Sequence, residues 1–293
     1  MDSTDRKVFT VGARAIESEE GNAAIVVDPL AAKLAGKKAL KAARRRRDPA
    51  LPSNARGRKN KIGRIAVRTK WFDDQLEASL GMPSSAGMRH VVQTVGDRMP
   101  MQVVELGAGL SSRPWRLHLP ATVHWFDVDR QDVLDAKEIL LEKYGAEVDL
   151  MSPVRRSMSK NSMLESKIGS IDHHFEGVQY PLRCASRAGV AADLGHKGWT
   201  KGLMAAGFDP NRPTVWIAEG LLMYLKEEDV SALLEETRSI SAPGSAFLTV
   251  SVPDRVIQEI KDPSSKKNKG LMKEWVFGCP DDPTEVCVFF LLC

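Results

Sequence analysis

The stretch Met101–Leu117, MQVVELGAGLSSRPWRL, followed by Val123–Arg130, VHWFDVDR, decides the fold. A short apolar run enters a Gly-x-Gly turn, and a second apolar run ends in acids. This is the front half of a nucleotide-type βαβ unit. Val103, Val104 and Leu106 suit a strand buried on both faces, which reads as a nearly continuous hydrophobic run. Gly107 and Gly109 allow a tight turn and a close approach to a ligand where a Cβ would clash. The helix N-terminus beyond them is expected to offer free amide N–H groups to a carboxylate or phosphate. Asp129 falls roughly twenty residues past the first glycine, where an acid can take ribose hydroxyls. A ribose-bearing ligand is expected.

The third glycine of the dinucleotide fingerprint is replaced by Ser112. That departure tilts the reading from a dinucleotide toward S-adenosylmethionine. A glycine turn serving geometry alone is the plainer alternative, and the second strand with its terminal Asp129 counts against it.

Composition frames the rest. The 293 residues are 43% hydrophobic, enough for one sizeable α/β domain with a helical addition. No apolar stretch approaches the roughly twenty residues that cross a bilayer, and the N-terminus carries acids rather than the apolar core of a secretory signal. Cys184, Cys279, Cys287 and Cys293 lack metal-site spacing and do not form a disulfide framework. A reduced, soluble, cytoplasmic protein without a metal is expected. The net charge of +4 is concentrated around Lys37, Lys38, Lys41 and Arg44 to Arg47. Such a run can bind nucleic acid, but without interleaved aromatics it reads as a solvated helix end; neither a nucleic-acid nor a membrane partner is expected.

Working outward, Asp28-Pro29 reads as a helix start, and Asp48 to Arg58 as an exposed loop. Ile65, Phe72, Leu76 and Leu80 share one helical face, and Ser84 can cap a further helix through Val95. Gln131 to Tyr144 is a crossover helix stopped by Gly145. Periodicity then dissolves from Glu147 to about Arg187, a polar insertion containing His173 and His174 that is either a functional lid or a disordered segment. Strands follow at Ala188–Leu194, Thr214–Glu219 and Ser245–Val252, with helices at Trp199–Ala206 and Lys226–Ile240. The alternation predicts an α/β fold with a mostly parallel, doubly wound sheet. Asp129, Asp193 and Glu219 would gather at its carboxyl edge, where such sheets bind ligands.

The blocks VGARAIES, DPLAAKLAG, AVRTKWFDD, VVELGAGLSSRPWRL, FDVDRQDVLDAK, VAADL, AAGFDPNRPTVWIAEGLLMYL and FGCPDD occur in this order between Val11 and Asp282. Together they resemble the leucine carboxyl methyltransferase family, in its broad branch of S-adenosylmethionine-dependent methyltransferases. The resemblance implies a Rossmann-like class I methyltransferase fold with an N-terminal helical cap over residues 1–98. A cofactor domain would occupy 99–293, interrupted by the insertion at about 150–187. It places Arg68 on the methionine carboxylate, Gly107 and Gly109 on the cofactor loop, and Asp129 on the ribose. Asp193 and Leu194 fall beside the adenine, and Glu219 faces the methionine end.

The family's chemistry requires no general base when the acceptor is a carboxylate, already ionised at neutral pH. Rate then comes from holding the nucleophile in line and excluding water. The acceptor is therefore not legible, although a carboxylate on a small molecule or protein C-terminus is favoured. A hydroxyl or amine acceptor would need a base, with Tyr224 or His196 as candidates. A nicotinamide oxidoreductase is disfavoured, because a Tyr-x-x-x-Lys or His-acid pair is not recognisable. Two departures stand out: the polar insertion, and the ending PTEVCVFFLLC, where the family continues into a helix and a terminal antiparallel strand pair. Val286 to Cys293 resemble no family segment. An incomplete strand pair would allow an alternative, a catalytically weak cofactor-binding or interaction protein.

Overall fold

The computed structural model describes residues 3–47, 59–82, 101–148, 177–265 and 270–280. Three helices come first: α1 (Ser3–Ser18), α2 (Ala31–Arg47) and α3 (Lys59–Ser79). An alternating region follows, with β1 (Gln102–Leu106), α4 (Arg113–Arg116), β2 (His124–Asp129), α5 (Gln131–Lys143) and β3 (Ser186–Ala191). It continues through α6 (Thr200–Ala205), β4 (Thr214–Ala218), α7 (Glu227–Ser239), β5 (Ala246–Thr249) and α8 (Asp254–Lys261). Among the described residues the five strands pair in parallel, in the order β3-β2-β1-β4-β5. The order reverses beside β1, so the crevice at its carboxyl end is the topological switch point where open sheets take ligands.

Side-chain alternation explains the layers. Val103, Trp125, Val215 and Ile217 pack with Phe72, Leu76 and Leu80 of the α3 segment. Their strand neighbours Val104, Phe126, Val128 and Trp216 point the other way, into a core with Trp199, Leu203, Val230 and Leu233 from the α6 and α7 segments. Because side chains alternate with period two, both faces of each central strand are buried. The α1–α2 pair adds a third apolar cluster, in which Val11, Leu30 and Leu34 meet Trp115 of α4 and Leu141 of α5. The N-terminal helices thus share a core with the elements that carry the glycine loop.

Several boundaries differ from the sequence reading. Helix α3 begins at Lys59, ahead of the expected Ile65. Helix α2 starts at Ala31 rather than Pro29, because the Asp28 carboxylate accepts the Ala31 amide at 3.0 Å. It is broken at Gly36, whose φ of 73° no other residue type adopts easily. Strand β3 starts at Ser186, inside the tail of the polar stretch, and stops at Ala191. Its Arg187 is buried against acids of neighbouring elements, which is why polarity there reads misleadingly as insertion. Strand β5 is shorter than Ser245–Val252. The helix expected at Ser84–Val95, His173, His174 and the tail Val286–Cys293 lie outside the described residues. Among the described residues, no helix is long and apolar enough to cross a membrane.

Candidate active site

The glycine loop is clasped to the end of β2. Gly107 and Gly109 take φ of 68° and 52°, left-handed values that admit glycine at little cost. The Gly107 and Ala108 amides both donate to the Val128 carbonyl, at 2.8 and 3.2 Å. The Gly109 amide donates to Asp129 Oδ2 at 2.7 Å, and the Arg130 amide to Oδ1 at 2.8 Å. This corrects one expectation. The Gly107, Ala108 and Gly109 amides donate to protein acceptors, and the helix beyond them, α4, is a single turn with Pro114 near its start rather than a long helix. Asp129 is buried and fixes the loop while holding its carboxylate at the carboxyl edge of β2.

The strongest feature is a chain of buried ion pairs across that edge. Glu219 follows the last residue of β4, and its side chain is 8% exposed. One of its oxygens accepts Arg68 Nε of α3 at 2.9 Å; the other accepts Arg113 Nη2 of α4 at 2.5 Å. Arg113 also reaches Glu105 on β1 at 2.5 Å and Asp73 on α3 at 2.9 Å. Asp73 takes two further bonds from Arg116, at 2.7 and 2.8 Å. Beyond Arg116 lies Asp28, which accepts Arg14 Nε at 2.9 Å and the Ser112 hydroxyl at 2.6 Å. Arg14 in turn donates to the Leu110 carbonyl at 2.9 Å. The N-terminal helices are therefore pinned to the glycine loop through charge-assisted bonds, the guanidinium forks matching carboxylates.

Electrostatics follow from this geometry. Burial pushes the Glu219 carboxyl up, but Arg113 and Arg68 outweigh it and hold the group down at about 2. Asp28 is likewise lowered, burial being overcome by Arg14 and Arg116. Glu105 goes the other way: its burial wins over Arg113, and Asp127 on the adjacent strand adds to the rise. Arg113 and Arg68 thus favour the ionised form of Glu219 at the switch point.

The remaining candidates separate by exposure. Leu194 is buried in the core beside α6. Asp193 lies two residues past β3 with its side chain 62% exposed, pairing with His196 at 3.2 Å. The parallel sheet places Asp129, Asp193 and Glu219 at the same edge, two of them buried and one at the rim. His196 is 79% exposed, and Tyr224 is half-buried in a short 3₁₀ turn after β4. Among the described residues, no group of three or more His, Cys, Asp or Glu could hold a metal.

Sequence reasoning missed the polar layer behind the loop. Asp127 on β2 accepts Lys137 at 2.6 Å and Arg187 at 2.7 Å, and Trp125 Nε1 at 2.9 Å. Arg187 also pairs with Glu138 at 2.6 Å, and both cations lie over the Trp115 ring. The acids in VVEL and FDVD, Glu105 and Asp127, interrupt otherwise apolar strands. A charge at a core position demands a partner, so that interruption was the available signal.

The model of the leucine carboxyl methyltransferase family matches residues 7–238. A Streptomyces avermitilis protein, named a "putative S-adenosyl-L-methionine-dependent methyltransferase", is 32% identical over 273 residues, covering 92% of this chain and 76% of its own length. A Parafrankia protein of like name is 34% identical over 202 residues, covering 67% of this chain and 48% of itself. The chain spans about half the length of several curated relatives that it matches. A crystal structure from Thermobifida fusca, titled a "putative methyltransferase", aligns over 96% of this chain and 79% of its own, with a TM-score of 0.40 and 16% identity. With the family model covering most of the sequence and relatives above 30% identity, the chain belongs to the leucine carboxyl methyltransferase family.

Proposed function

We propose that this chain binds S-adenosylmethionine and uses it to methylate a carboxylate. The observation that carries the proposal is Glu219, a buried carboxylate held ionised at the switch point between Arg68 and Arg113. The residues fit the cofactor. Asp129 offers a carboxylate beside the glycine turn, as ribose hydroxyls require, and Asp193 and Leu194 continue the same edge for the base. Glu219 suits the cationic sulfonium and ammonium, and Arg68, 26% exposed, can reach a carboxylate while staying oriented by Glu219.

When bound, the cofactor would supply an electrophilic methyl group, its C–S bond electrons remaining on sulfur as the acceptor oxygen took the methyl. The chain's own residues orient and neutralise. Arg68 and Glu219 fix one end, the clasped loop fixes the other, and the N-terminal helices, by way of Arg14, Asp28 and Asp73, close over the edge. A carboxylate acceptor arrives ionised, so no proton need move. The exposure of His196 and its engagement with Asp193 support an acceptor of that kind.

Calorimetric titration with S-adenosylmethionine and S-adenosylhomocysteine, with NADH as control, tests the proposal. Saturable binding of the first two alone is expected, weakened about tenfold or more by Arg68→Ala, Asp129→Ala or Glu219→Ala. Normal binding by all three folded variants overturns the site; binding without turnover on any carboxylic acid favours a cofactor-binding or interaction protein.

A further inference from the structure

A cavity of about 810 Å³ opens beside Arg68, between α3, the turn around Ile25 and the segment Thr249–Ser251 at the end of β5. Its α3 wall is Arg64, Val67, Arg68 and Trp71, which share a face because they recur at spacings of three and four. Val67 is 60% exposed, Trp71 46% and Ile25 44%, an unusual density of large apolar side chains facing solvent. Trp71 stands edge-on to the buried Phe72, 5.1 Å between ring centroids, which steadies the indole at the wall. Glu17 also lines the cavity, but its carboxylate accepts the Ile25 amide at 3.0 Å and so braces the turn. Arg64 is exposed on the same face, one turn from Arg68.

We propose that this cavity is the methyl-acceptor site, and that its occupant is a small organic acid with an aromatic or branched aliphatic body. The inference rests on the cofactor reading above. Three observations select this occupant. The volume lies within the range that accommodates one drug-sized molecule. Val67, Trp71 and Ile25 offer apolar contact area, the indole supplying a flat, rigid surface. Arg64 offers a bidentate partner for a carboxylate, and Arg68 lines the cavity while pairing with Glu219, so the two sites share one side chain. Methylation would convert the bound acid to a neutral ester, so the charge that Arg64 recognises disappears with the product.

Binding is measured on the intact chain saturated with S-adenosylhomocysteine, by calorimetry and by tryptophan fluorescence, with 4-phenylbutyrate, 4-methylpentanoate, their methyl esters and a short peptide ending in a free leucine carboxylate as probes. The acids are expected to bind and shift the fluorescence, the esters to bind at least tenfold more weakly. Trp71→Phe should remove the fluorescence change. Arg64→Ala should weaken the acids tenfold or more while leaving S-adenosylhomocysteine affinity within twofold, because Arg64 is outside the cofactor residues. Acids and esters binding equally would overturn the role of Arg64. Failure of every acid, in a protein that binds S-adenosylhomocysteine normally, overturns the cavity; so does binding only of a peptide ending in a free leucine carboxylate, which would make the acceptor macromolecular. Absence of S-adenosylhomocysteine binding in the parent chain refutes the cofactor reading and, with it, the acceptor role, even if the acids bind.

Discussion

Replacing Glu219 by glutamine removes one charge from the buried network with almost no change in volume. An ordinary glutamate titrates near 4.5, and Glu219 is held at about 2. At about 1.4 kcal/mol per tenfold change in proton affinity, its partners Arg68 and Arg113 favour the ionised form by on the order of 3 kcal/mol. Arg113 keeps Asp73 and Glu105 after the substitution, while Arg68 loses the carboxylate that orients it. A loss of about 2–4 kcal/mol at pH 7 is therefore expected, near the ~3–5 kcal/mol typical when one partner of a buried pair is deleted. In a chain of this size that lowers the melting temperature by roughly 3–7 °C.

The sign with pH is fixed. The folded-state carboxyl is depressed, so its stabilisation is fully present above 4.5 and is lost as pH falls through about 2. At pH 3.5 the difference between parent and variant should have shrunk to about 2 kcal/mol. Urea denaturation at pH 7, 5 and 3.5, with circular dichroism readout, measures it. A deficit below about 1 kcal/mol at pH 7 refutes the reasoning. So does a deficit that does not change down to pH 3.5, because the charge would then not be its source.

Three further outcomes follow from the same structure. Asp127→Asn leaves Lys137 and Arg187, both essentially inaccessible, without their shared carboxylate; a loss of about 3–5 kcal/mol is expected in urea denaturation, and an unchanged midpoint would contradict the pairing. Gly107→Ala forces an L side chain to φ 68° and sets its Cβ 3.1 Å from Leu221 Cδ1. It should destabilise by about 1–2 kcal/mol and weaken S-adenosylhomocysteine binding, and parent-like values on both counts would show that the turn tolerates a side chain. Burial pushes the Cys184 thiol up to about 12, so at pH 8 it should alkylate far more slowly than an exposed cysteine in iodoacetamide labelling mapped by mass spectrometry. Rapid labelling at Cys184 would contradict its burial.

The sequence by itself determined the sheet and its polarity. The runs around Val103, Trp125 and Val215 are apolar on both faces and separated by helix-length segments, and only a parallel, doubly wound sheet buries such strands. It also marked the loop, since glycines at 107 and 109 sit where φ is positive, and it placed acids at the strand ends. What it left open was partnership. That Asp129 clasps the Gly109 amide, that Glu219 is shared between helices α3 and α4, and that Arg187 is a core residue rather than part of an insertion depend on contacts across 20, 151, 106 and 60 positions of chain. Periodicity reports which face of an element is apolar, because that is a local property of the backbone repeat. Which buried charge meets which is decided only when the elements pack, since the cost of desolvating each ion is repaid by a partner that the chain brings from elsewhere.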